Sequence, residues 1–209
     1  MQRPWNQVPI AAAGSDSGAG DAAAAASRAL AELEAKDHYT ADHARSIADL
    51  AVALGEEMGL SHSQLEDLRL SAIFHDIGKI AIPDAILSKA GPLNAEERRE
   101  IERHPLIGEQ IVAPVATISD AVRAIVRHDH EHWDGSGYPD GLHGEQIPLG
   151  ARIVLVVDAY HAMVSDRPYR DSLPHEQARA ELQANAGTQF DPGVVAAFMR
   201  VLKRRDEAR

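Results

Sequence analysis

The chain has 209 residues, enough for one domain with a sizeable core, and no cysteine, which excludes disulfides, thiolate-bound zinc and cysteine catalysis. Its formal net charge of −11 argues against a protein that coats a nucleic-acid polymer. Eleven histidines are the compositional oddity, so any metal site must be built from His, Asp and Glu.

Residues 1–26 are expected to be a flexible tail or linker remnant, and 27–209 the folded domain, with Ala-rich helical sequence running from Asp21 to Lys36. Nothing in Met1–Gly20 resembles a signal peptide, and no apolar run is long enough to span a membrane, so the chain reads as cytoplasmic. Thr40 is placed to cap a helix whose Ile47, Leu50, Ala51, Leu54 and Met58 share one face, with His43 one turn before Ile47. Gly59 ends that helix, and Ser61 or Ser63 starts the next.

This next helix carries Leu65, Leu68 and Ile73 and closes on His75-Asp76, with Gly78 as its terminator. Burying an imidazole beside a carboxylate among Ile, Phe and Leu is costly unless something pairs them. A metal ion would do so, because it favours neutral His and ionised Asp together. A hydrogen-bonded His–Asp couple at a helix end is the plainer alternative. Further along, Ile82–Leu87 is a connector with one helical turn, and Asn94 with Glu97 forms a capping box. The helix they start is expected to reach Arg103 and to break at His104-Pro105 before Ile107, Ile111 and Val112 resume an apolar stripe.

A helix from about Ser119 ends in Arg127-His128-Asp129-His130-Glu131-His132, followed by the Gly-rich loop from Trp133 to Gly141. Ile153–Val157 has strand composition, but a strand would lack partners, and Asp158, His161 and Ala162 continue the run at helical spacing. We read Leu149–Ser165 as a buried helix. Two helices follow, Pro174–Ala186 and one starting at Asp191-Pro192 with Val194, Val195, Phe198 and Leu202 inward. The expected fold is all-α.

His43, His75, Asp76, His104, Asp129, His130 and Asp158 are the candidate ligands, and these seven exceed what one tetrahedral ion takes. Two divalent cations bridged by Asp76, drawn from iron, manganese or another first-row metal, are the economical arrangement. Such a pair commonly serves phosphoester hydrolysis.

These residues stand in a series of motifs: Tyr39-Thr40-x-x-His43, His75-Asp76-Ile77-Gly78-Lys79, Ile82-Pro83-Asp84, His104-Pro105, Asp134-Gly135-Ser136-Gly137-Tyr138-Pro139, Asp158-Ala159 and Arg167-Pro168-Tyr169-Arg170. In this order they resemble the HD-GYP domains, a branch of the HD phosphohydrolase superfamily that degrades cyclic di-GMP. The resemblance implies an HD-domain helical bundle with a metal centre in its core. It implies that His43, His75, Asp76 and Asp158 hold one ion, and that Asp76, His104 and the His130 region hold the other. Lys79 would lie beside the scissile phosphate, Gly137 and Tyr138 would shape the substrate loop, and Arg167 and Arg170 would grip phosphate through their planar forks.

Two positions depart from that pattern. Asp129 stands where the family carries the first histidine of His-His-Glu, and Tyr39 stands where members with a third metal carry glutamate. The second departure points to two ions and to the linear dinucleotide pGpG as product, with GMP as the further product. The first opens a rival expectation, a catalytically impaired module that senses nucleotide or metal, or docks a partner. A phosphohydrolase acting on another nucleotide is a third. The resemblance leaves homodimerisation and docking to other signalling domains open.

Overall fold

The computed structural model describes residues 24, 27–33, 41–165 and 172–207, and only the backbone of 41–43. Most of the expected tail, the Tyr39-Thr40 pair, the His43 side chain, Arg167 and Arg170 therefore lie outside the described residues. Among the described residues there is no strand, only an isolated bridge between Ala186 and Phe190. None of the helices among the described residues is long and apolar enough to cross a membrane.

Helix α1, Ala41–Glu57, turns Ile47, Ala51 and Leu54 inward. Helix α2, His62–Phe74, starts at Ser61, one of the two serines expected to start it, and the start is a capping box: Gln64 N–H donates to Ser61 Oγ, and Ser61 N–H donates to Gln64 Oε1. It ends earlier than its sequence suggests. His75 is still right-handed helical, Asp76 leaves the helix at φ −95°, ψ 2°, and a 3-10 turn covers Ile77–Ala81. Gly78 is therefore not a helix terminator. A Cβ there would collide with the His104 carbonyl oxygen, so glycine is what lets this turn lie against the start of the helix carrying His104.

The single turn α3, Asp84–Leu87, and α4, Ala95–Ile101, follow. The Asn94–Glu97 capping box is present. Helix α4 stops at Ile101 instead of reaching Arg103, and the break falls at Glu102-Arg103. His104-Pro105 opens α5, His104–Val112, because a proline in the first turn lacks an N–H that would have no partner there anyway. Helix α6, Asp120–His128, is capped by Ser119. Then come α7, Leu149–Val164, α8, His175–Ala184, and α9, Pro192–Glu207, whose first turn donates Gly193 N–H and Val194 N–H to Asp191 Oδ1.

Helix α7 packs on α1, α2, α6, α8 and α9, which explains why nearly its whole circumference is apolar and why its period is hard to read. It forms the larger core with residues such as Ile47, Leu54, Leu68, Leu182 and Phe198. A smaller cluster gathers Leu30, Phe74, Ile77, Val112, Val122 and Val126, and Ile73 packs against both. His75 and Asp76 come two and three residues after Ile73, at the seam between the two cores.

Candidate metal centre

His75 and Asp76 occupy the break between α2 and the 3-10 turn, and both are buried. His75 Nδ1 donates to the Ala72 carbonyl, which turns Nε2 the other way, toward Asp76 Oδ2 at 3.5 Å and Asp158 Oδ1 at 3.9 Å. His104, first residue of α5, repeats the device: Nδ1 donates to the Ile101 carbonyl at 2.7 Å, and Nε2 sits 3.4 Å from Asp76 Oδ1. Fixing one ring nitrogen as donor leaves the other as an inward lone pair, the usual preparation of a metal-binding imidazole. The Asp76 carboxylate thus offers Oδ2 to the His75–Asp158 side and Oδ1 to the His104 side. Lys79, three residues on, donates to Asp76 Oδ2 at 2.7 Å.

The end of α6 supplies the rest. His130 brings its ring to within 4.8 Å of His104, edge to face, and Tyr138 stacks flat on His130 at 5.1 Å and 13°, its ring 6.5 Å from that of His104. Ligand atoms of Asp76, His104 and His130 all fall within 4.8 Å of one another, so these three can hold a metal ion. Asp129 is buried, with its Oδ2 3.9 Å from His130 Nε2. His128 points elsewhere, with Nδ1 on the Ala124 carbonyl and Nε2 on Asp140, so it does not stand in for Asp129. His43 belongs to α1, which packs on both α2 and α7.

The electrostatics fit a cation better than they fit a closed protein network. Asp76 Oδ1, His104 Nε2, His130 Nε2 and both Asp129 oxygens are buried with no hydrogen-bond partner among the described residues, an unusual concentration. Burial lowers the pKa of His104 to about 4 and holds His130 well below its usual range, so both rings are neutral donors of a lone pair at pH 7. Burial works to raise the Asp76 carboxyl, but Lys79 above all, then His75, His104 and His130, hold it well below the ordinary carboxylate range. Asp129 goes the opposite way: burial, then the neighbouring Asp76 and Asp158 charges, push it well above that range. A cation is what would let Asp129 ionise there. The set of imidazoles and carboxylates without thiolate suits a first-row metal.

The sequence pattern of the HD domain family matches residues 27–194. The chain belongs to this family. The HD domain is 41% identical over 176 residues to the cyclic di-GMP phosphodiesterase response regulator RpfG of Xanthomonas campestris, covering 83% of this chain and 46% of that protein. It is 40% identical over 171 residues to a cyclic di-GMP phosphodiesterase of Thermotoga maritima, covering 81% of this chain and 46% of that one. Both alignments span less than half of the relative's length. Among solved structures, a cyclic GMP-AMP specific phosphodiesterase from Vibrio cholerae superposes with a TM-score of 0.62 at 20% identity, over 77% of this chain and 44% of that one, which shows a shared fold.

The GYP loop of this HD domain is held by residues that the sequence reading left without a role. Glu131 is buried, accepting Asp140 N–H at 2.7 Å and Leu142 N–H at 3.1 Å. The base of the loop hangs on the 188–189 turn through Trp133 N–H to Gln189 O and Asp134 N–H to Thr188 O. Gly137 is required by contact, since a Cβ would strike the His132 amide nitrogen, and Tyr138 N–H then reaches the His130 carbonyl at 3.2 Å. Burial raises the Tyr138 hydroxyl above its ordinary pKa, so it remains a neutral phenol. The sequence signals for Glu131 were its place in the family's His-His-Glu pattern and its position between a candidate ligand and a glycine-rich loop.

Proposed function

We propose that this HD domain is a metal-dependent phosphodiesterase that opens cyclic di-GMP to linear pGpG at a two-ion centre. The observation that carries the reading is the Asp76 carboxylate, whose two oxygens face different imidazoles, His75 and His104. One ion would take His43, His75, Asp76 and Asp158, and the other Asp76, His104, Asp129 and His130. When bound, the pair supplies an activated water and positive charge for the phosphodiester oxygens.

The chain's own residues do the rest. Lys79, three-quarters buried and tied to Asp76, is placed to offset negative charge gathering on phosphate or to give a proton to the leaving 3′-oxygen. Tyr138 and Gly137 would form one wall for a base or ribose, and Arg167 and Arg170 would take the second phosphate of the dinucleotide. Hydrolysis of one ring ester yields a 5′-phosphate and a 3′-hydroxyl, and Tyr39 in place of a third-metal glutamate favours stopping there. The 35%-identical cyclic GMP-AMP-specific phosphodiesterase 3 of Vibrio cholerae makes that dinucleotide the first competitor substrate to try.

The second reading, an impaired binding module, rests on Asp129, which replaces the family's histidine and whose ionised form is disfavoured first by burial. One experiment separates the two: metal-loaded protein, with Mn²⁺ or Fe²⁺ counted per chain, is given cyclic di-GMP and cyclic GMP-AMP, and the products are resolved. Two ions and conversion of cyclic di-GMP to pGpG are expected. One ion or none, with nucleotide bound and left intact, would establish the binding module instead.

A further inference from the structure

Arg127 sits in the last turn of α6, three residues before His130, and each of its three guanidinium nitrogens donates a hydrogen bond to a carboxylate. Nε and Nη2 donate to Asp140 Oδ2 and Oδ1 at 2.8 and 3.0 Å, a bidentate fork, while Nη1 donates to Glu109 Oε2 at 2.6 Å. His128 Nε2 lies 2.9 Å from Asp140 Oδ2. The hydrogen bonds lower the Asp140 carboxyl to about 2 and raise Arg127 further above its usual range.

Each partner belongs to a different piece of the site. Glu109 lies on α5, the helix that opens with His104. Asp140 lies two residues after Tyr138, and its N–H is already held by Glu131. Arg127 itself leads into Asp129 and His130. One side chain therefore joins the three segments that bring His104, His130 and Tyr138 together. An isolated exposed ion pair would contribute little. This one is a two-carboxylate network at about one-third exposure, and its fork fixes direction as well as distance.

We infer that Arg127 is a positioning residue: by gripping Asp140 and Glu109 it sets the seat of the GYP loop, so that Tyr138 stays flat on His130 and aims His130 Nε2 at Asp76 and His104. The inference rests on His130 being a metal ligand, as proposed above. Loop folding does not depend on it, because Glu131, the Gln189 and Thr188 carbonyls and the Gly144-to-Trp133 hydrogen bond hold the loop independently. What Arg127 adds is the orientation of residues 138–140 relative to α5 and α6.

The test compares wild type with Arg127→Ala, Arg127→Lys, Asp140→Asn and the pair Arg127→Ala/Asp140→Asn, reading Mn²⁺ affinity by calorimetry, the thermal midpoint without metal, and kcat and KM on cyclic di-GMP. Arg127→Ala is expected to weaken the looser Mn²⁺ site about tenfold and to lower kcat by a similar factor, the usual scale for a residue supporting a ligand. KM should rise as well, since Arg127 orients the segment that carries Tyr138, so the loss of Mn²⁺ affinity in the absence of substrate is the readout that a disturbed substrate wall alone would not move. Arg127→Lys should recover only part of the loss, because a point charge cannot reproduce the fork. The double variant should be no worse than Arg127→Ala alone.

A lower thermal midpoint with unchanged Mn²⁺ affinity and kcat in both Arg127→Ala and Asp140→Asn would overturn the inference and leave a structural ion pair. Asp140→Asn keeps the test open if Arg127→Ala misfolds. Wild-type protein that binds two Mn²⁺ but hydrolyses no cyclic dinucleotide would refute the phosphodiesterase reading alone, with the affinity comparison still deciding this one. Wild-type protein that binds no Mn²⁺ would overturn both.

Discussion

Asp129 and Glu131 are carboxylates separated by one residue at the end of α6, and both are buried, at 2% and 1% exposure. Their surroundings are opposite. Glu131 spends both oxygens on backbone N–H groups of its own loop, whereas neither Asp129 oxygen has a hydrogen-bond partner among the described residues and its charged neighbours include Asp76 and Asp158. A buried carboxylate with two amide donors is a structural anion, stable without help. One that faces other carboxylates keeps its charge only beside a cation. Asp76 stands between these cases, with Lys79 on one oxygen and the other open toward His104. Burial of an acid alone says nothing about function; what its oxygens face does.

The comparison can be broken most decisively at Asp76. If it bridges two ions, Asp76→Ala loses both and all hydrolysis, and metal analysis finding two ions retained in that variant would end the two-ion assignment. Lys79→Ala comes next: metal content should stay intact while kcat falls on the order of 10²-fold, since its charge acts on the transition state. A rise in KM alone would make Lys79 a ground-state binder.

The two contrasted acids should then diverge. Glu131→Gln exchanges a charged acceptor for an amide that turns an N–H₂ toward a backbone donor, costing about 1.5–3 kcal/mol of stability by denaturant titration with metal count unchanged. Asp129→Asn should do the reverse, raising the metal-free thermal midpoint and shrinking the rise produced by Mn²⁺. If both variants lost stability alike, Asp129 would be structural and the contrast would fail.

The smallest effect is in pH. With His104 at about 4 when folded against 6.5 when unfolded, the unfolded chain binds the extra proton between those values. Its contribution is thus fully present above about pH 6.5 and lost as pH falls toward 4. The raised Asp129 works in the other direction: the folded state holds a proton the unfolded chain releases, so its contribution to metal-free stability declines as pH rises above 3.8. Chelator-treated protein should be most stable at intermediate pH, and Mn²⁺ should stabilise it most at the high end. Because His130 is also held low, the two imidazoles outweigh Asp129 below about pH 6.5, and metal-free stability that failed to decline above that pH would show that Asp129 is ionised without a metal.

Much of the fold was readable locally. Ser61 with Gln64, Asn94 with Glu97, Ser119 and Asp191-Pro192 mark helix starts because caps are satisfied by residues two or three positions away. Gly78 was misjudged because its constraint is the carbonyl of His104, far along the chain, and a glycine reads the same whether it ends a helix or admits a neighbour. The residue types for a metal site were legible as His and Asp in apolar stretches. The support beneath them was not: Arg127, Asp140 and Glu109 look like ordinary surface charges until α5, α6 and the loop are brought side by side.

The sequence by itself determined an all-helical chain, a thiolate-free set of candidate ligands and membership of a family through motifs in fixed order, since propensity, capping and residue chemistry are properties of short segments. Only the tertiary structure decided that Asp76 faces two groups of ligands, that Asp129 faces inward while His128 turns to Asp140, and that Tyr138 covers His130. Those relations depend on how α5, α6 and the turn after α2 pack against one another. Close packing fixes side-chain direction to fractions of an ångström, which no spacing along the chain can encode.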